Sequence, residues 1–306
     1  MSNLKNLTVI IVTYFTQKKL LLECLNSISK EVKIKIIENS KNFEFKEDIL
    51  NKFSNVEIEC TGQNLGYGNG NNFGLNLTQT DFALILNPDL VCDNDFFKNL
   101  NLILENNRNF SIIGCQYMYD KVFMPAGFFD TKKNKIFCKK FKNDEILPLE
   151  KVEWVTGCSM LINLRKFNDK EIFDKNFFLY FEEFDLCKSI IDRGDNIFTS
   201  KDLKIHHLGF ESSLGNNLEN TKRANRIREW HWMWSSFYFY KKNYNFIYAL
   251  GKLSGKFFKS FFKMIFFTII FQKKSKNKYL YRFLGLLNSI MGKPSSYRVN
   301  KLDKLN

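Results

Sequence analysis

Apolar positions in the first hundred residues fall in short β-branched runs divided by segments of helical spacing. Leu7 to Thr13 carries Val9-Ile10-Ile11-Val12 without a polar break, the pattern of a strand buried on both faces. Gln17 to Ser29 follows with Leu21, Cys24, Leu25 and Ile28 at three- and four-residue spacing. Val32 to Ile37, Val56 to Cys60 and Phe82 to Leu86 predict three more strands. Helix is predicted at Ile49 to Phe53, through about Leu77 after the Gly/Asn-rich stretch, and over Asp95 to Glu105. This alternation predicts an α/β fold with a mostly parallel central sheet covered on both faces.

Beyond Gly114 the pattern shortens. Residues 116–150 read as short strands and loops, with a Lys-rich hairpin around Asp130 to Lys142. Val152 to Ile162 predicts one apolar strand with Gly157 in its middle. Leu186 to Asp192 reads as helix and Lys204 to His207 as a last short strand. Gly215-Asn216-Asn217 reads as a linker. The predicted division is an α/β domain over 1–215, with halves of about 1–115 and 116–215, and a helical, basic-aromatic region over 216–306. Thr221 to Tyr240 and Lys256 to Phe271 are its predicted helices, and no internal repeat is visible.

Composition adds one asymmetry. A content of 44% hydrophobic and 25% charged residues is that of a globular chain, which excludes a disordered one. The net charge of +14 is unevenly placed: from Lys201 onward there are 21 Lys/Arg against 5 Asp/Glu, while residues 1–200 are slightly acidic. A basic C-terminal third favours phosphate-rich partners. The seven cysteines are scattered without a CxxC pair, which argues against a zinc site or a disulfide framework. Val9 to Val12 is too short for a signal peptide, so the expected location is cytoplasmic. Lys256 to Phe271 is shorter than the ~20 apolar residues of a bilayer span and carries lysines. It suits the membrane interface, with phenylalanines in lipid and lysines at anionic headgroups.

Candidate chemistry sits at the predicted strand ends. Glu38-Asn39, Gln63-Asn64 and Asn87-Pro88-Asp89 close strands two, three and four, and ligands of open parallel sheets bind beyond those ends. Asp89 could hold a divalent cation bridging two phosphates; taken alone, Asp after Pro reads as a turn. Gln63 to Asn72 offers close backbone approach and amide side chains, or simply a loop before a helix. Glu182-Glu183-Phe184-Asp185 follows Phe177-Phe178-Leu179-Tyr180-Phe181. Acids crowded beside aromatics can raise one pKa to suit a general base, or merely favour a helix start. His206-His207 offers a metal ligand, or a hydrogen-bonded structural histidine.

Taken in order, these stretches resemble the family 2 glycosyltransferases with a GT-A fold, in particular the rhamnosyltransferase-like branch. The resemblance runs from about Leu7 to Ser213. It rests on Thr8-Val9-Ile10-Ile11-Val12-Thr13-Tyr14, Asn64-Leu65-Gly66-Tyr67-Gly68-Asn69-Gly70-Asn71-Asn72 and Leu86-Asn87-Pro88-Asp89, followed by Trp154-Val155-Thr156-Gly157, Phe178 to Asp185 and His207-Leu208-Gly209. It implies an inverting, metal-dependent transfer of a sugar from a nucleotide diphosphate, dTDP-rhamnose or a UDP-sugar, to a lipid-linked or polysaccharide acceptor in cell-surface glycan synthesis. Mg²⁺ or Mn²⁺ would be held by Asp89 and His207, with His206 as the alternative. The family's metal motif is usually Asp-x-Asp, and here it reads Asn87-Pro88-Asp89.

The resemblance further implies that Thr13, Tyr14, Glu38, Asn39, Asn64, Gly66, Asn69, Asn72 and Asn87 bind the sugar donor. Trp154 and Gly157 would lie on the acceptor side. Glu183 would be the base, with Glu182 and Asp185 orienting the acceptor or tuning that base. The family commonly has Asp where Glu38 and Glu183 stand, which keeps open a catalytically inactive relative. A basic nucleic-acid-binding protein is the other alternative, with Trp230, Trp232 and Trp234 as stacking platforms. No nucleic-acid motif is visible, so nucleic acid is not an expected partner. Peripheral contact with an anionic membrane is expected, and the sequence leaves the oligomeric state open.

Overall fold

The computed structural model describes residues 3–106, 109–119, 122–123, 126–130, 135–138, 149–208 and 218–298. The Gly215-Asn216-Asn217 linker, Gly209 and the turn of the Lys-rich hairpin lie outside the described residues.

The N-terminal half alternates strand and helix as the apolar runs predict. In order come β1 (Leu7–Thr13), α1 (Lys18–Asn26), β2 (Lys33–Glu38), α2 (Lys46–Lys52), β3 (Val56–Cys60), α3 (Tyr67–Asn76) and β4 (Phe82–Leu86). Then follow β5 (Leu90–Cys92), α4 (Phe96–Asn106), β6 (Ile112–Tyr119), β7 (Val122–Phe123), and a hairpin of β8 (Gly127–Asp130) with β9 (Lys135–Cys138). β10 (Glu150–Val152), β11 (Ser159–Asn163), α5 (Glu182–Asp192) and β12 (Ile197–His207) complete the α/β part. The large sheet runs β10-β12-β6-β11-β4-β1-β2-β3. β1 is parallel to β2 and β4, β2 to β3, and β12 to β6, while β11 is antiparallel to both neighbours.

Strand alternation builds two cores. Val9 and Ile11 of β1 face a layer containing Leu21, Leu25, Phe96 and Leu100 of α1 and α4. Ile10 faces the other, with Leu75, Leu186, Ile190, Met233 and Phe237. Each such side chain contributes about 1.5–3 kcal/mol through burial. That is why the central strands are apolar on both faces and keep polar residues to their ends.

Two elements depart from the sequence reading. Val152 to Ile162 is not one strand. It breaks after β10, where the backbone of Trp154 pairs with Gly127, turns at Gly157, and resumes at Ser159. β12 has 11 residues instead of the four expected. A register shift between Ser200 and Lys204 breaks the alternation that would have shown its length.

The C-terminal region forms three helices: α6 (Leu218–Asn243), α7 (Phe246–Ile269) and α8 (Lys273–Ile290). The Asn245 side chain caps α7 by accepting the Tyr248 N–H at 2.8 Å. α8 is absent from the sequence reading because four lysines, Lys273, Lys274, Lys276 and Lys278, mask its start. It packs tightly on α6 at Gly285, where a Cβ would stand 2.2 Å from the Trp230 carbonyl oxygen. Trp230 and Trp234 are buried here and Trp232 is 42% exposed, so the tryptophan cluster is mostly packing and not a stacking surface.

No helix of the described residues is long and apolar enough to cross a membrane. α7 nevertheless exposes Ile247, Phe258, Phe262, Phe266 and Ile269, and Phe271 just beyond it is exposed as well. Lys263 turns away from this stripe to the Tyr279 hydroxyl and ring.

Candidate functional site

The parallel strands β1 to β4 bring their carboxyl ends to one edge. Thr13 and Glu38 are register partners, and the Thr13 hydroxyl donates to the Glu38 carboxylate at 2.6 Å. Burial pushes the Glu38 carboxyl above its usual range, with the Thr13 and Ser40 hydroxyls opposing. The Asn39 amide donates to the Gly66 carbonyl at 2.9 Å, and the Asn64 side chain accepts the Gly66 N–H at 2.9 Å. Gly66 has φ of +86°, and a Cβ there would stand 2.2 Å from the Phe178 carbonyl oxygen. Only glycine fits that approach.

The loop's other amides are committed to backbone. Asn69 donates to the Lys175 carbonyl at 3.1 Å. Asn72 is buried and uses both ends of its amide on Phe173, donating at 2.8 Å and accepting at 3.0 Å. These bonds tie α3 to the chain ahead of α5. Tyr14, Gln63, Asn64 and Asn69 line a cavity of about 490 Å³, together with Phe178 and Arg298. Glu38 and Asn39 are buried residues of the same strand end.

At the end of β4, the Asn87 N–H donates to the Cys158 carbonyl at 2.9 Å. Asp89 is buried, and the side chain of His207 brings Nε2 to 3.7 Å from its carboxylate. The sheet sets this meeting: β12 pairs with β5 so that His207 opposes Leu90, and the Leu208 N–H donates to the Asp89 carbonyl at 2.9 Å. His206 points elsewhere, 3.3 Å from Asp93 at the surface. One carboxylate and one imidazole form an incomplete set. No group of three His, Cys, Asp or Glu among the described residues could hold a metal. Mg²⁺ and Mn²⁺ sites that serve nucleotides need only one or two protein ligands, since phosphate oxygens and water supply the others. Asp89 and His207 fit that kind of cation.

Glu182 and Glu183 open α5 after two consecutive residues, Tyr180 and Phe181, both at φ of +69°. Large side chains rarely adopt that conformation, and the left-handed pair turns the chain into α5, with Phe181 as its N-cap. Glu182 is buried, and its Oε2 has no hydrogen-bond partner. Glu183 is half-buried. Burial pushes the Glu183 carboxyl up to about 7, and burial together with the Glu183 charge pushes Glu182 well above its usual range. Burial of the pair thus opposes placing two negative charges here.

The turn at Gly157 sits between Tyr67, whose hydroxyl donates to the Gly157 carbonyl, and Glu183, whose Cβ would be 3.3 Å from a Cβ at 157. The adjacent Cys158 thiol is pushed up to about 12, mainly by burial, and both Asp89 and Glu183 add to the shift. The turn thus joins the two acidic segments: Gly157 lies against Glu183, and the Cys158 carbonyl accepts the N–H of Asn87, two residues before Asp89. Asp185 and Trp154 lie apart from this arrangement. Asp185 accepts from Lys242 at 2.6 Å and Asn243 at 2.8 Å, which joins α5 to α6. Trp154 is buried with its ring edge-to-face on Phe184. Sequence reasoning missed Tyr67 and Arg298. The loop pattern contained Tyr67, but nothing in the sequence signalled Arg298.

Comparison with known proteins bears on the whole arrangement. The glycosyl transferase family 2 profile matches residues 8–168, which ends before Glu182 and His207. The low-salt glycan biosynthesis hexosyltransferase Agl10 of Haloferax volcanii is 24% identical over 196 residues, 60% of this chain and 61% of that protein. The rhamnosyltransferase WbbL of Escherichia coli is 25% identical over 186 residues, 55% of this chain and 70% of that one. Among solved structures, GalNAc-T7 with UDP, GalNAc and Mn²⁺ matches with a TM-score of 0.56 at 13% identity, covering 76% of this chain and 50% of that one. The mannosyltransferase PcManGT from Pyrobaculum calidifontis, in complex with GDP-Man and Mn²⁺, matches with a TM-score of 0.51 at 11% identity, covering 94% and 88%. At these identities the structures speak to the fold, which is of the GT-A type.

Proposed function

The chain belongs to glycosyl transferase family 2, and from that premise we propose that it is an inverting, metal-dependent hexosyltransferase or rhamnosyltransferase. The sugar donor would be dTDP-rhamnose or a UDP-sugar, and the acceptor a hydroxyl of a lipid-linked or polysaccharide glycan. The names of the Haloferax and Escherichia relatives support transfer of a hexose or rhamnose. One observation carries the chemistry: the turn Gly157-Cys158 packs against Glu183 and bonds Asn87, two residues before the Asp89–His207 pair.

In this reading Glu183 removes the proton of the acceptor hydroxyl as its oxygen bonds to the anomeric carbon. The bond from that carbon to the diphosphate oxygen breaks on the opposite face, and the nucleoside diphosphate leaves with the electron pair. A pKa of about 7 leaves Glu183 partly ionised at neutral pH and basic enough to take the proton. Glu182, protonated, spares the pocket a second negative charge. Asp89 and His207 would hold a cation, which when bound neutralises charge on the departing diphosphate. Gly66, Asn39 and Asn64 shape the loop beside the nucleotide.

The test is sugar transfer by the purified full chain from a panel of dTDP- and UDP-sugars, with Mn²⁺ or with chelator. Transfer that needs the cation is the expected result. Full transfer in chelator removes Asp89 and His207 from their role, and failure of every donor to bind or transfer rejects the assignment.

The exposed apolar stripe of α7, on a strongly basic C-terminal region, supports peripheral contact with an anionic membrane bearing the acceptor.

A further inference from the structure

The segment after α8 folds back and is held by side chains of α6. Trp234 Nε1 donates to the Lys293 carbonyl at 2.9 Å. Buried His231 lies 2.9 Å from the Tyr297 carbonyl through Nε2 and 3.1 Å from the Ser295 hydroxyl through Nδ1. A carbonyl can only accept, so Nε2 carries the proton and Nδ1 accepts from Ser295. Trp230 and Tyr281 set their rings 5.5 Å and 5.4 Å from that of Tyr297.

This anchoring carries Arg298 into the wall of the cavity formed by Tyr14, Gln63, Asn64 and Asn69. The guanidinium carbon lies 3.2 Å from the centre of the Phe178 ring. Nη1 donates to the Ser295 and Tyr297 carbonyls at 3.1 Å and 2.9 Å, which fixes its direction. Burial lowers its pKa to about 10, where it remains a cation at neutral pH. Among the described residues no carboxylate pairs with it. A half-buried guanidinium, oriented by two carbonyls and with no carboxylate partner among the described residues, is built to receive an anion. Its cavity opens at the carboxyl ends of β1 and β3, where parallel sheets take up nucleotides.

We propose that Arg298 binds the diphosphate of the nucleotide, so that the segment after α8 completes the sugar-donor site. This rests on the sugar-transfer reading above and extends it: residues 293–298 add a cation to the cavity lined by Tyr14, Gln63, Asn64 and Asn69. Arg298 would hold the diphosphate from the side lined by Tyr14 and Asn64. The diphosphate of a lipid-linked acceptor has the same chemistry, and the choice of probes separates the two.

The experiment uses the full chain as wild type, Arg298→Gln and Arg298→Lys. Calorimetric binding is measured for UDP and dTDP with Mn²⁺, for uridine and thymidine, for inorganic pyrophosphate, and for farnesyl diphosphate in detergent. Arg298→Gln should weaken the nucleoside diphosphates roughly 10-fold or more and leave the nucleosides within about twofold. Arg298→Lys should recover part of the loss. Equal loss of nucleoside and nucleoside diphosphate would make Arg298 a prop for Phe178 and overturn the proposal, as would no loss at all. Farnesyl diphosphate binding that depends on Arg298, without such dependence for UDP or dTDP, would move the residue to the acceptor and overturn it too. If wild type binds pyrophosphate through Arg298 but no nucleotide, the anion site stands while the sugar-transfer reading falls. Binding of none of these probes by wild type overturns both.

Discussion

His207 places Nε2 3.7 Å from an Asp89 carboxylate oxygen because the last strand of the sheet ends against the short strand that begins just after Asp89. Asp89 ends the tight turn before that short strand, and the Leu208 N–H bonds its carbonyl at 2.9 Å, so the strand pair holds both residues. That rigidity suits a pair that must leave a cation's remaining positions to substrate.

Asp89→Asn keeps the shape and removes the charge. Transfer is expected to fall at least ~100-fold, comparable to losing one transition-state electrostatic contact. In parallel, Mn²⁺ should cease to strengthen binding of the nucleoside diphosphate, measured calorimetrically. Unchanged Mn²⁺ dependence would relocate the cation.

Glu183→Gln is expected to cut turnover roughly 10²–10⁴-fold with little change in nucleotide binding. In the wild type, turnover should fall as pH drops through about 7, because the base must be ionised. Stability runs the opposite way. The folded-state pKa lies above the unfolded value, so folded protein loses stability as pH rises from the ordinary carboxylate range through about 7. Glu183→Gln escapes that loss and should melt higher than wild type at pH 8. Equal melting temperatures at pH 8 would show that Glu183 titrates normally.

Gly66→Ala forces a Cβ to 2.2 Å from the Phe178 carbonyl oxygen at a φ of +86°. Urea unfolding should show a loss of about 2 kcal/mol or more. A neutral substitution would mean that the loop and the Phe178 segment ahead of α5 move apart freely.

Membrane contact is tested on α7. Wild type is expected to float with anionic vesicles, while Phe262→Glu combined with Phe266→Glu should stay in the aqueous fraction. Both side chains are more than half exposed, so the melting temperature should hold. Wild type that fails to float, or a double variant that floats equally well, removes α7 as the docking face.

The sequence made some of this legible and hid the rest for physical reasons. Phe82–Leu86 reads to the residue because a strand covered on both faces shows an unbroken apolar run, and Val56–Cys60 because its buried Val56 and Ile58 alternate with exposed Glu57 and Glu59. β12 did not, since its irregularity at Ser200 to Lys204 interrupts the period. Asn72 carries the same amide whether it holds a ligand or a backbone, and here Phe173 takes both its ends. Arg298 was beyond reading altogether, since its place depends on Trp234 and His231, more than fifty residues earlier, capturing the returning chain.

Lys242 of α6 reaches back to bond Asp174 and Asp185 together, at 2.7 Å and 2.6 Å. A cut between the α/β part and the helices would strip the cation from both carboxylates, one of them buried at the root of α5. The helices are therefore not an exchangeable tail. A hybrid that grafts this sugar-transfer sheet onto another protein's C-terminal helices would need a cation at this same spot before α5, and the acid pair it presents, could settle into place.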